Sequence, residues 1–364
     1  MSILKIVAPL PSISKRTRLT KIRECGIQFS QIDFFGWQRS DNEILDEDGF
    51  IILKGGGYSS KKARMMYLIW MLKVFYTALF FKKNDIVWAL GFETAFPAIL
   101  ASKLKGFKVV YDDADRFSSL FNFPNFVKKI LISLEKYSSK NCFKHIIPGE
   151  ERYEFSSDNF FILKNTPTSE DIEKAGNHIL DQTLLSQLES FALVIYVNGW
   201  LGDGRGLKII NQIASNIPQI GFLLAGRIDS KFASEMLEYQ NVIYLGELPQ
   251  YQALAYYKVS DFVFTYYDPI VPINKMAEAN KWGDALQFSV PVIVNSEVIT
   301  ADYLRKSNSC ISVAYNDIDG LEVELISHLN NPEKYQTMKS SIKLLQQKFP
   351  TFDIQLEKLF KTLE

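Results

Sequence analysis

Cysteine and histidine are scarce, with three of each in 364 residues. Cys25, Cys142 and Cys310 lie far apart, with no CxxC pair and no His/Cys cluster. That excludes a disulfide framework and a zinc site of the usual spacing, and it favours a reducing, cytoplasmic setting. His145, His178 and His328 are the only histidines, so a mechanism built on a His pair has little to draw on. Net charge is also missing: 41 Lys and Arg balance 41 Asp and Glu. Whole-protein attraction to nucleic acid is therefore not expected. The amino-terminal MSILKIVAPLPS does not read as a signal peptide. Its apolar part is short and β-rich, Pro9 and Pro11 follow directly, and there is no small-residue cleavage site.

What is present is an ordinary globular composition, 47% apolar and 23% charged. The length exceeds what one hydrophobic core usually supports, so two domains are expected. Leu4–Ala8, a helix at Leu19–Cys25 stopped by Gly26, and an alternating strand at Ile27–Phe34 read as a βαβ unit. Further strands are expected at Asp85–Leu90, Phe107–Tyr111, His145–Pro148 and Phe160–Lys164. Helices are expected at Lys61–Lys83, from Pro97 to Leu104, and at Asn125–Lys140. Gly55-Gly56-Gly57 lacks a following GK[ST] and reads as a flexible turn.

Asn165-Thr166-Pro167-Thr168-Ser169 punctuates the pattern as a linker. The rhythm then restarts. Strands are expected at Leu193–Asn198, Gln219–Ala225, Val242–Leu245, Phe262–Tyr266 and Val290–Val294. Helices fall at Leu207–Ser215, Asp229–Tyr239, Tyr251–Val259 and around Asp284. Alternating β and α predicts parallel sheets with helices on both faces. The expected fold class is thus α/β, with two Rossmann-like doubly wound domains facing a cleft. The first spans 1–165, the second 166–349, and the segment 350–364 carries a final helix, Ile354–Leu363, after Pro350.

Two stretches of the second half suit an anion. Asn198-Gly199-Trp200-Leu201-Gly202-Asp203-Gly204-Arg205-Gly206 follows a strand and opens a helix. Glycines there admit a ligand to the backbone, and Arg205 can add a bidentate phosphate contact. In PINKMAEANKWGDALQFSVPVIVN, a loop carrying Asn280 and Lys281 enters a short helix before a core strand. Trp282, Ala285, Leu286 and Phe288 give that helix one apolar face. Lys281 near a helix N-terminus adds full positive charge to the dipole, and Asp284, one turn on, can accept sugar hydroxyls. Each stretch also has an ordinary reading, as a βα turn or a solvated αβ loop.

Taken together, YVNGWLGDGRGLKII, LLAGR, NVIYLGELPQYQALAYYKVSDFVF and NKWGDALQFSVPVIVN resemble the donor domain of GT-B glycosyltransferases. The likeness is to the large retaining group, family 4-like, that includes many bacterial polysaccharide and lipid-linked glycan synthases. SISKRTRLTKIRECGIQF, DIVWALGFETAFPAILASKLKGFKVVYDDADRF and FILKNTP resemble its acceptor domain and linker more loosely. The resemblance implies a cytoplasmic hexosyl- or N-acetylhexosaminyl-transferase, acting at the inner face of the cytoplasmic membrane on a saccharide or lipid-linked acceptor. It implies a nucleotide-sugar co-substrate, no required metal and no nucleic acid.

The resemblance also implies roles. Arg205 and Lys281 would bind the donor diphosphate, Gly199 would let it lie against the backbone, and Asp284 would hold the ribose hydroxyls. Asn274 and Asn280 would lie beside the donor sugar, with Asn198, Trp200 and Gly226 also in the donor site. The sequence departs from the group at four positions. Met276 stands where its paired-glutamate pattern has an acid, and Glu278 is a spare candidate nearby. Trp200 replaces a basic residue, Ser289 a common glycine, and Ala114 a frequent His. In the first half Asp112, Asp113 and Asp115 crowd after a strand. Like charges so close raise one pKa and can yield a base, although a solvated loop and helix cap is their ordinary reading. Asp112, Asp115 and Glu93, in the Gly91 loop, are the carboxylates of interest there.

Lys54 to Lys83 contains Lys54, Lys61, Lys62, Arg64, Lys73, Lys82 and Lys83 and no acid, around an aromatic-rich apolar run. It suits either a buried helix with a basic rim or an interfacial helix on anionic lipid. Competing functions are a nucleotide-sugar epimerase of the same fold and a non-catalytic partner subunit.

Overall fold

The computed structural model of the chain describes every residue except 1, 47, 59, 60, 114, 121, 122 and 364, and leaves the side chains of residues 61–64 undescribed. The chain divides into two compact units. One comprises Met1–Leu163 with Asp353–Glu364, and the other Lys164–Phe352.

The first unit holds strands β1 (Ile3–Val7), β2 (Gln31–Gln38), β3 (Gly49–Lys54), β4 (Ile86–Leu90), β5 (Lys108–Asp112), β6 (Lys144–Ile147) and β7 (Phe160–Ile162). They pair parallel in the order β3-β2-β1-β4-β5-β6-β7. β4 (IVWAL) is buried along its whole length, as a central strand covered on both faces must be. Helices α1 (Thr17–Cys25), α2 (Lys61–Ala78), α3 (Phe92–Lys105), α4 (Phe117–Leu120) and α5 (Asn125–Asn141) connect the strands. One core joins the sheet to α2, α3 and α5 through Trp70, Val74, Ala98, Ile99, Leu131 and Leu134. The returning chain-end helix packs Phe360 against Phe29 and Trp88.

The second unit has a six-stranded parallel sheet. Its strands are β8 (Leu193–Asn198), β10 (Ile220–Ala225), β12 (Val242–Tyr244), β13 (Phe262–Thr265), β14 (Val292–Asn295) and β15 (Cys310–Val313). Their order is β12-β10-β8-β13-β14-β15, and one core lies on each face. A separate two-stranded ribbon pairs β9 (Leu201–Gly202) with β11 (Ile228–Asp229). The helices are α6 (Ser169–Asn177), α7 (Gln182–Leu188), α8 (Leu207–Asn216), α9 (Lys231–Met236), α10 (Gln250–Ala255), α11 (Asn280–Gln287), α12 (Asp302–Lys306), α13 (Ile318–Asn330) and α14 (Pro332–Lys348), and the helix that returns to the first unit is α15 (Phe352–Lys361). Strand order reverses between β8 and β13, the kind of switch point where ligands bind at the strands' carboxyl ends.

Several boundaries differ from the sequence reading. The second strand begins at Gln31, because Ile27 is 90% exposed and the buried positions are Phe34 and Trp37. α3 starts at Phe92, so Pro97 sits inside it rather than in its first turn. Its missing N–H removes the hydrogen bond to the Glu93 carbonyl. β14 starts after Pro291, which cannot donate to the ladder. α9 is short because Ile228–Asp229 is drawn into the ribbon and the Ser230 side chain caps the helix at Phe232 N. β15, α6, α7 and α12–α14 had no counterpart in the sequence reading.

Candidate functional site

The turns after β8 and β13 flank the switch point, and the start of α11 joins them. Trp282 Nε1 donates to Thr265 Oγ1 at 2.8 Å, tying α11 to the end of β13. Gly283 lets the same helix press on the linker, since a Cβ there would lie 2.2 Å from the Asn165 carbonyl oxygen. Asn280 and Lys281, expected in the preceding loop, are instead the first two residues of α11. Their backbone N–H groups therefore belong to the open first turn of the helix.

Together these elements enclose a pocket of about 240 Å³, lined among others by Trp200, Arg205, Tyr267, Glu278, Asn280 and Lys281. Gly199 stands at its edge with φ +91°, and a Cβ there would meet Lys281 Cε at 3.4 Å. Gly226 (φ +124°) is still more constrained, because a Cβ would fall 1.8 Å from the Gly199 carbonyl oxygen. The two glycine turns are thus packed backbone to backbone, with Gly199 N donating to Ala225 O and Leu201 N to Arg227 O.

Two cations converge on this pocket. The Arg205 guanidinium lies 4.2 Å from the Tyr267 ring centroid, and its Nη1 is buried without a hydrogen-bond partner among the described residues. Lys281 is half-buried and makes no hydrogen bond or salt bridge among the described residues. Burial and the neighbouring Arg205 charge push its ammonium down to about 8, with Asp284 offsetting part of the effect. Holding two such cations together costs free energy unless an anion joins them. Glu278 also lines the pocket but is ion-paired with Lys164 at 2.8 Å.

The remaining donor-side candidates are distributed around this pair. Asn198 donates to Tyr257 Oη at 3.3 Å, and its buried Oδ1 has no partner among the described residues. Tyr257 Oη in turn donates to Asp284 Oδ2 at 3.5 Å, so Asp284 faces a buried polar chain and is not among the pocket-lining residues. Trp200 is half exposed and donates to Asp229 at 2.9 Å. Asn280 accepts from Asn165 at 3.0 Å. Asn274 donates to the Asp268 carbonyl at 2.8 Å, holding its own turn, and does not line the pocket. Tyr257 and Tyr267 escaped the sequence reading. Both look like ordinary core aromatics in a one-dimensional pattern, and only the fold brings their hydroxyl or ring to Asp284 and Arg205.

In the first unit the carboxylates separate by environment. Asp112 is buried and accepts from Arg18 Nε at 3.0 and 3.1 Å and from Trp88 Nε1 at 2.9 Å. Asp115 is partly exposed, 3.6 Å from Arg16. Asp113 accepts from Tyr153 Oη at 2.6 Å. Burial would raise its pKa, but His145 and Tyr153 outweigh that and hold it below the usual range. Glu93, in the first turn of α3, folds back over Gly91. Burial pushes its carboxyl up to about 7, opposed by its own backbone hydrogen bond and reinforced by Asp113. Ala114 lies outside the described residues.

No protein-family profile and no curated protein matches this chain. Solved structures do. A sucrose-phosphate synthase from Thermosynechococcus elongatus superposes with a TM-score of 0.65 at 12% identity, covering 100% of this chain and 99% of that one. A trehalose-6-phosphate structure from E. coli, bound with UDP-2-fluoro glucose, gives 0.68 at 10% identity over 100% and 99%. A UDP-N-acetylglucosamine 2-epimerase gives 0.58 at 12% identity over 93% and 90%. At these identities the likeness establishes architecture, and the chain has the GT-B fold of two parallel-sheet α/β domains.

Proposed function

We propose that this protein is a glycosyltransferase that moves a hexosyl or N-acetylhexosaminyl group from a nucleotide sugar to a glycan or lipid-linked saccharide. In this reading the second unit takes the donor and the first the acceptor. The reaction retains anomeric configuration and serves bacterial surface polysaccharide synthesis at the inner face of the cytoplasmic membrane. The observation that carries the reading is the convergence of Arg205 and Lys281, two cations that form no salt bridge among the described residues, beside the Gly199 turn. The motif resemblance supports the finer placement within the retaining group.

The chemistry follows from charge. As the bond from the anomeric carbon to the diphosphate breaks, negative charge grows on the leaving phosphate. Preorganised cations aimed at it stabilise that state more than the ground state. Gly199 admits the diphosphate to the backbone, and Arg205 and Lys281 neutralise it. Asn280 and Trp200 border the sugar, and Asp284 accepts ribose hydroxyls.

Titration calorimetry with nucleoside diphosphates tests the donor site. Micromolar binding that Arg205→Ala or Lys281→Ala weakens at least about tenfold is expected, and no binding at millimolar ligand would overturn it. A second reading, epimerisation of a nucleotide sugar, draws on the likeness to the 2-epimerase structure. Incubating nucleotide sugars without acceptor separates the two. Slow release of free sugar and nucleoside diphosphate fits transfer, and an epimeric nucleotide sugar fits the alternative.

A further inference from the structure

The first unit carries a strong charge and polarity asymmetry that the net charge conceals. From Gly49 to Gly149 the acidic residues are Asp85, Glu93, Asp112, Asp113, Asp115 and Glu135. All but Asp115 are buried. Most described lysines of the same stretch lie outside. Lys73 projects from α2, and Lys82 and Lys83 follow it. Lys103 and Lys105 end α3, and Lys128, Lys129, Lys136 and Lys140 stud α5. All of these lysines are exposed, and none forms an ion pair among the described residues.

Bulky apolar side chains are exposed among them. On α2 they are Met65, Leu68, Ile69, Leu72 and Tyr76, one continuous stripe at helical spacing, with Phe80 just beyond at 86% exposure. The opposite stripe, Trp70, Val74 and Ala78, is in the core. On α5 the exposed pair is Phe126 (68%) and Ile130, and Leu104 (70%) ends α3. α2, α3 and α5 lie side by side on one face of the sheet, packed on one core. Side chains opposite their buried stripes therefore leave on the same outer side. At the α2 end the face includes an open groove of about 460 Å³ edged by Phe35, Phe50, Lys73, Tyr76, Phe80 and Phe81, its one carboxylate, Asp33, being ion-paired with Lys5 at 2.8 Å.

We infer that the outer face of the α2–α3–α5 layer docks on an anionic lipid bilayer, with α5 and the end of α3 as much a part of the contact as α2. This deepens the membrane-side reading above and does not depend on the donor pocket. Exposed Leu, Phe and Tyr side chains enter the headgroup region, where their apolar area leaves water. The surrounding lysines meet lipid phosphates, and the near-absence of exposed carboxylates removes the repulsion. Charge complementarity selects lipid over a second copy, since two such faces would repel. Among the described residues no helix is long and apolar enough to cross a membrane, so the contact is peripheral.

The test is co-sedimentation of the full chain with phosphatidylcholine vesicles, with and without phosphatidylglycerol. Binding to the anionic vesicles alone, weakened by salt, is expected. Lys128→Gln, Lys129→Gln, Lys136→Gln and Lys140→Gln together should weaken it by more than about tenfold. Leu72→Glu with Phe80→Glu should weaken it at least as much. Nucleoside diphosphate affinity, read on the same proteins, should not change, and it separates failure of this face from failure of the donor site or of folding. Three results would overturn the proposal: no vesicle binding, equal binding to neutral vesicles, or an α5 variant that binds like the parent. Self-association abolished by Leu72→Glu would equally overturn it, in favour of a second copy.

Discussion

A side chain at Gly199 would begin 3.4 Å from Lys281 Cε, so the glycine turn after β8 and the first turn of α11 share one small space. Gly199 is also at φ +91°, where any L-residue is strained. Gly199→Ala should therefore displace Lys281 as well as strain the turn. Nucleoside diphosphate affinity is expected to fall at least about tenfold with a stability loss of about 1–2 kcal/mol. Calorimetry and denaturant unfolding measure the two. Unchanged affinity would remove Gly199 from the donor site.

Lys281 sets a pH signature. Burial and the Arg205 charge hold its ammonium near 8, so it carries its charge below that pH and loses it above. Bound diphosphate raises the pKa, and binding near pH 8–9 should take up a proton. Affinity should fall as pH rises through about 8, and Lys281→Met should flatten the curve. The same substitution removes a desolvated charge. The depressed pKa makes the folded state less stable below about 8, a penalty relieved as pH rises toward the ordinary lysine value. Lys281→Met should thus stabilise the protein at pH 7, by about 1 kcal/mol, while weakening donor binding. A variant both less stable and unchanged in affinity would contradict this.

Asp284 tests nucleoside recognition. It accepts from Tyr257 at 3.5 Å and partly offsets the cost of charging Lys281. If it also holds ribose hydroxyls, Asp284→Asn should cost about 1.5–3 kcal/mol of donor affinity. The loss should be smaller for a 2′,3′-dideoxy nucleotide. Equal losses would reduce Asp284 to its effect on Lys281.

Glu93 should shape stability against pH. Its carboxyl, raised to about 7 by burial, keeps its proton in the folded protein after the unfolded chain has lost it. Stability from this group is full below about 4.5 and is lost as pH rises to about 7, a drop of at most about 3 kcal/mol. Glu93→Gln should remove that slope, so the variant melts higher than the parent at pH 8 and not at pH 4. Parallel melting curves across this range would show that Glu93 titrates normally.

Much of this protein was legible in one dimension. Buried parallel strands announce themselves as short apolar runs, so IVWAL, LVIYVN and GFLLA fell within a residue or so of their observed bounds. The glycine-rich turn after β8 was also readable as a turn, whereas Lys281, expected in a loop, lies in the first turn of α11. Local signals failed where two choices were equally good. IQFSQIDFFGWQ alternates throughout, and only the partners of Phe34 and Trp37 decide which part is strand. Met65, Leu72 and Phe80 look like core in sequence, and only the packing of Trp70 and Val74 leaves them outside. The carboxylates make the same point. Asp112, Asp113 and Asp115 are near-identical neighbours on paper. Tertiary structure gives the first to Arg18 and Trp88, the second to Tyr153 and the third to the surface, because burial and partner are properties of the folded chain. The sequence by itself determined the α/β rhythm and the residue types able to hold an anion. Bringing Arg205 beside Lys281, with Tyr267 beneath, required the strand reversal between β8 and β13, which no local pattern encodes.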